Sequence, residues 1–213
     1  ARKDGDEYVL DGNKAFISGA GATDALVVMA RTGGAGAAGI SAFLVGADSE
    51  GITYGRLEDK LGWNTQPTRA ISFDGVRVPE AHRLGEEGDG FKIAMATLDV
   101  TRPGTAIGAV GVAQAAYEHS VEYAKERVTF DMPIAMHQGV NFMIADMATE
   151  IEAARLLSWQ AAWMLDQGFG RKATLYSSFA KRCAADTAMK VATDAVQVFG
   201  GYGYIKEYPV EKL

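Results

Sequence analysis

Ile107-Gly108-Ala109-Val110-Gly111-Val112-Ala113-Gln114-Ala115-Ala116-Tyr117-Glu118-His119-Ser120-Val121-Glu122-Tyr123-Ala124 is the stretch that decides the fold. Ile107, Val110, Ala113, Tyr117, Val121 and Ala124 recur at steps of three and four, which lines one face of an α-helix. Toward the C-terminus the same period returns in Val140, Met143, Ile144, Met147, Ile151 and Ala154. A third stripe is Leu175, Phe179, Cys183, Val191, Ala195 and Val198, with polar Thr187 as its interruption. Short loops at Phe130 to Pro133 and Gly168 to Arg171 would join these as an up-down antiparallel bundle. Glu207 to Leu213 reads as the start of a fourth helix, truncated in mid-turn.

Toward the N-terminus the period changes. Sixteen of the 25 glycines fall within the first 90 residues. Between them lie short β-branched or aromatic runs: Tyr8-Val9-Leu10, Ala15-Phe16-Ile17, Leu26 to Met29, Ile40 to Val45, Ile52-Thr53-Tyr54 and Ile71-Ser72-Phe73. Asp11-Gly12, Gly33-Gly34 and Asp74-Gly75 are turn dipeptides, and no helical period separates the runs, so parallel strands with crossover helices are not expected. The expected fold class is α+β: an antiparallel β-barrel or sandwich over residues 1–87, then a four-helix bundle with its last helix truncated over residues 88–213.

Composition narrows the function classes. The 213 residues carry 21 Lys+Arg against 27 Asp+Glu, a net charge of −6, with −5 in the first 90 residues and −1 in the rest. Phosphate-backbone binding needs clustered cations, so no nucleic acid partner is expected. No run approaches the roughly 20 apolar residues of a membrane span. The lone Cys183 forms no internal disulfide, and His82, His119 and His137 lack metal-ligand spacing. There is no Gly-x-Ser-x-Gly elbow. Gly19-Ala20-Gly21-Ala22-Thr23-Asp24 opens like a dinucleotide fingerprint but leads into a strand-like run where a helix is required.

Three segments carry chemical interest. Arg102 beside Asp99 offers a fork of donors for a phosphate or amide, or is a surface ion pair. Arg127 ends the first long helix, where a cation also suits the helix dipole. Phe199-Gly200-Gly201-Tyr202-Gly203-Tyr204 closes the third helix with bare backbone that a planar or phosphorylated ligand could approach, or with a glycine cap over packed aromatics.

Taken together, Gly12 to Ser18, Thr101-Arg102-Pro103, Glu126 to Phe130, His137-Gln138 and Asp194 to Gly203 resemble the acyl-CoA dehydrogenases, flavoenzymes with a middle β domain and a C-terminal four-helix bundle. The resemblance implies FAD as cofactor. Phe16 and Ser18 would stand beside the flavin ring. Arg127, Phe130 and Gln138 would hold the pyrophosphate and adenosine portion, and Gln197, Gly200 and Gly201 the FAD of a neighbouring subunit. Asp99, Thr101 and Arg102 would meet the coenzyme A part of an acyl-CoA substrate. The implied reaction is α,β-dehydrogenation of a short or medium acyl-CoA, branched ones included, in fatty acid β-oxidation or branched-chain amino acid catabolism.

Electrons would pass to an electron-transfer flavoprotein. The enzyme would be a homo-oligomer, a dimer of dimers, in the cytoplasm or a mitochondrial matrix. The family's usual base is a Glu beyond the Glu207 to Lys212 region, which the chain does not reach. Some members carry it instead on the first long helix, where Thr101 stands. No catalytic residue is therefore expected within the chain, and the chain reads as a fragment lacking segments on both sides. The alternatives are a catalytically inactive FAD- or CoA-binding module or assembly subunit, and a helical interaction protein without cofactor.

Overall fold

A computed structural model describes residues 1–213. Seven strands make up the β region: β1 (Arg2–Asp4), β2 (Glu7–Ser18), β3 (Ala25–Arg31), β4 (Ile40–Gly46), β5 (Ile52–Tyr54), β6 (Thr68–Pro79) and β7 (Arg83–Leu84). They form two separate sheets, in the orders β1-β2-β6-β5 and β3-β4-β7, with every pairing antiparallel. The β region is thus a pair of sheets and not a closed barrel. Gly19 and Gly21, both at positive φ, turn the chain from β2 to β3, so the fingerprint-like glycines serve a strand connection.

Period-two alternation puts Ile71, Phe73, Val76 and Val78 of β6 and Leu26 and Val28 of β3 inside, while Val27 faces out. Tyr8, Leu10, Phe43 and Val45 complete that core, with the Tyr8 and Phe43 rings 4.9 Å apart. The one buried polar side chain of β4 is satisfied: Ser41 Oγ shares a bond with the Thr32 hydroxyl (2.7 Å) and accepts the Gly88 N–H (2.9 Å).

By contacts the chain divides into compact units Ala1–Ala96 and Thr97–Leu213. The second unit holds most of α1 (Gly90–Glu126), then α2 (Gln138–Asp166) and α3 (Arg171–Phe199), with a small hairpin of β8 (Val128–Thr129) and β9 (Met132–Pro133) after α1. Its core is largely alanine: Ala106, Ala113 and Ala116 of α1, Ala154 and Ala161 of α2, Ala180, Ala184 and Ala195 of α3, filled out by Val110, Met147, Ile151 and Val191. Small side chains let helix axes approach closely.

Two expectations change here. Leu175 and Phe179 lie outside the core, and the buried line of α3 runs through Ala173, Ser177, Ala180, Ala184, Thr187, Val191, Ala195 and Val198. Thr187 therefore lies on the seam and does not interrupt it. The large residues suggested the wrong face because this seam selects for small size. Within Glu207 to Leu213 there is one 3₁₀ turn, Pro209–Lys212, with Val210 buried.

Phe43, fully buried, supports both sheets of the β region. Phe43→Ala is expected to cost about 3–5 kcal/mol of unfolding free energy, read from denaturant titration, against less than about 0.5 kcal/mol for Val27→Thr on the exposed face.

Candidate functional site

In the first unit, β2 slips register against β6 between Lys14 and Ile17. Phe16 sits in that irregularity with φ +55° and its ring three-quarters exposed. A left-handed backbone at a bulky residue costs about 1–2 kcal/mol, and a bulge re-aims the side chain it carries. An aromatic ring is thus held outward at the expense of strain, a combination typical of ligand-contacting positions. Ser18, also exposed, ends the strand opposite the buried Thr68.

Sequence reading missed a second strained aromatic here. Trp63 has φ +55° and is largely exposed, on a loop gathered by Lys60 Nζ, which donates to the carbonyls of Trp63 (3.0 Å) and Gln66 (2.5 Å) and to Thr68 Oγ1 (3.0 Å).

In the second unit, Arg102 Nη1 donates to Asp99 Oδ1 at 2.8 Å, and Thr174 Oγ1 on α3 donates to Asp99 Oδ2 at 2.6 Å. The Arg102 and Asp99 side chains are 28% and 21% exposed, which removes them from the class of loose surface pairs. Pro103 has no N–H for the Asp99 carbonyl, so the α1 ladder is interrupted at this pair. Thr101 is not brought to the same face: two residues from Asp99 on a helix is a turn of about 200°. It is exposed, with a long contact to the Leu98 carbonyl of 3.5 Å.

Arg127 follows α1 directly. Its carbonyl accepts the Ile134 N–H at 2.8 Å, folding the segment back on itself. Phe130 (φ +50°) and Asp131 (φ +64°) form the two-residue loop of the β8–β9 hairpin, the primed turn geometry that matches strand twist. Asp at the second position tolerates the conformation that Gly favours. Phe130 projects 89% exposed, edge-on to His137 at 6.1 Å. His137 Nε2 lies 3.1 Å from Thr129 Oγ1, and Gln138 then opens α2, exposed. Arg127, Phe130 and Gln138 thus belong to one folded segment.

The glycine turn joins Arg127. Tyr123 of α1 stacks on Phe199 of α3 at 4.1 Å, and Tyr208 packs edge-on to both. Tyr202 adds to that cluster, and the Arg127 guanidinium lies 5.7 Å over the Tyr202 ring. Burial pushes the Tyr123 phenol above its ordinary pKa, with Arg127 pulling the other way.

The glycines differ in their reasons. Gly200 is at φ +58° as the cap of α3, and a Cβ on Gly203 would meet the Val196 carbonyl oxygen. Gly201 has neither positive φ nor any atom within 4 Å of a Cβ, so nothing in the chain itself requires glycine there. Gln197 is exposed one turn before it. The Arg127 cation over Tyr202, an exposed Gln197 amide and the open glycine backbone between them are groups that a phosphate-bearing ligand can meet.

The chain matches the family model described as the middle domain of acyl-CoA dehydrogenase over residues 1–76 and the C-terminal domain model over residues 88–213. It is 50% identical to an acyl-CoA dehydrogenase of Bacillus subtilis, across 100% of this chain and 56% of that protein. It is 46% identical to the mitochondrial isobutyryl-CoA dehydrogenase of Dictyostelium discoideum, across 100% of this chain and 51% of that protein. The butyryl-CoA dehydrogenase structure from Megasphaera elsdenii superposes with a TM-score of 0.96 at 47% identity, covering 99% of this chain and 55% of that one. The chain spans about half the length of these relatives.

The positive φ at Asp131 makes a direct check of the hairpin. Asp131→Gly is expected to change unfolding free energy by less than about 1 kcal/mol, whereas Asp131→Val lowers it by about 1–2 kcal/mol, measured by thermal or denaturant unfolding.

Proposed function

The chain belongs to the acyl-CoA dehydrogenase family, and on that premise we propose that it forms much of the flavin and coenzyme A surface of an FAD-dependent acyl-CoA dehydrogenase. The observation that carries this reading is the Arg127 guanidinium over Tyr202, beside the bare backbone of Gly201. These groups fit FAD. Phe16 and Ser18 stand beside the ring system of one FAD; Arg127, Phe130 and Gln138 hold a pyrophosphate and adenosine portion, and Gln197, Gly200 and Gly201 meet the FAD of a neighbouring subunit. Because Arg127 and the glycine turn share one surface, both act on the same cofactor, that of a neighbouring subunit. The reading therefore requires an oligomer, a dimer of dimers.

When bound, FAD supplies the acceptor for the hydride leaving the substrate's β carbon. The chain's own contribution is to bind and orient. Phe16 presents a flat apolar face, and Arg127 balances diphosphate charge. Arg102, braced by Asp99, takes the coenzyme A end of the thioester, with Thr101 on the neighbouring face of α1. A carboxylate must also remove the proton α to the thioester, and no residue of this chain is assigned that part.

The substrate is a short or medium acyl-CoA, straight or branched, a choice supported by the butyryl-CoA and isobutyryl-CoA dehydrogenases among its relatives. The electron acceptor is an electron-transfer flavoprotein. No helix is long and apolar enough to cross a membrane, and the proposed location is the cytoplasm or a mitochondrial matrix.

The full-length protein is expected to purify yellow and to bleach anaerobically with butyryl-CoA or isobutyryl-CoA, followed by visible spectroscopy. A colourless protein would contradict the cofactor assignment, and flavin that no acyl-CoA reduces would leave a binding module. Arg127→Ala is expected to weaken flavin retention about 10- to 100-fold, the loss of one charge-assisted contact.

A further inference from the structure

Six hydroxyls on the helices of the second unit make the same local bond. Thr105, Ser120, Thr149, Ser158, Ser178 and Thr193 each donate to the carbonyl four residues earlier on their own helix. Thr174 departs from it. Its Oγ1 reaches across from α3 to Asp99 Oδ2 on α1 at 2.6 Å, while its own carbonyl accepts the Ser178 hydroxyl.

Asp99 is thereby held at both oxygens, by Thr174 at one and by Arg102 Nη1 at the other. With Arg102 alone, the carboxylate could swing about its Cβ–Cγ bond and take the guanidinium with it. A second donor on a different helix removes that freedom. Asp99 uses one arm of the Arg102 fork and leaves its other donors for a ligand oxygen.

We propose that Thr174 is a positioning residue for coenzyme A recognition: it fixes the Asp99 carboxylate, and through it the orientation in which Arg102 meets the phosphate or amide of the acyl-CoA. This rests on the assignment of Asp99 and Arg102 to the substrate surface. Thr174 itself touches no substrate; its effect is preorganisation, which lowers the ordering cost of binding.

The test uses the full-length holoenzyme and butyryl-CoA. Thr174→Val, close in shape but without the donor, is expected to raise KM about tenfold with kcat within about twofold, the scale of one bond to a charged group. Thr174→Ser is expected to restore KM to within about twofold of the parent, and Thr174→Ala, which leaves space in place of the methyl, to repeat the Val result. In an Asp99→Asn background the Val substitution is expected to add little, since neighbours in one network are not additive. Affinity for free coenzyme A relative to its 3′-dephospho form, by titration, should fall toward unity in Thr174→Val, a change that lost packing alone would not produce.

An unchanged KM in Thr174→Val, alongside a raised KM in Arg102→Gln, would overturn the role of Thr174 and leave the substrate assignment standing. An unchanged KM in Arg102→Gln would overturn the assignment itself. A Ser variant that fails to restore KM would also overturn the proposal.

Discussion

Tyr123 stacked on Phe199 fixes where α1 ends relative to α3. Such a pair contributes about 0.5–1.5 kcal/mol beyond its buried area, and Tyr208 extends it into a cluster. The consequence is positional. Arg127 leaves α1 four residues after Tyr123, and Gly200 and Gly201 leave α3 immediately after Phe199, so one aromatic contact delivers the cation and the bare backbone to the same place. Tyr202 finishes the arrangement beneath the guanidinium.

Alanine at the helix seams makes that precision possible. With Ala154, Ala161, Ala180 and Ala195 buried in the shared core, α2 and α3 approach closely and have little freedom to slide. At the start of α3 the Thr174 hydroxyl reaches the Asp99 carboxylate on α1. In the first unit the logic is different: a register slip between two long strands holds the Phe16 ring outward. Strain at Phe16 and the cross-helix bond from Thr174 to Asp99 each hold a side chain in a fixed position.

Much of the fold was legible in the sequence. Period-two runs between glycine turns marked the strands, and the change near Gly88 marked the helices. Barrel and sandwich could not be separated, because closure depends on which edges pair and no local pattern encodes that. The α3 seam was misjudged because hydrophobicity weights Leu175 and Phe179 above the small residues that the packing selects. For the site, family resemblance named Phe16, Arg127 and the glycine turn, while local sequence carried no sign of the positive φ at Phe16 or Trp63. Thr174 was invisible for a simpler reason: a threonine in the first turn of a helix ordinarily bonds to its own backbone.

Gly201 offers the most direct measurement. A Cβ there meets no atom of the chain and the backbone does not need glycine, so Gly201→Ala alters only what approaches from outside. Equilibrium flavin binding by the full-length Gly201→Ala protein should weaken at least tenfold with thermal unfolding of the apoprotein unchanged. Flavin binding equal to the parent would contradict the account that this turn and Arg127 form the cofactor's cradle.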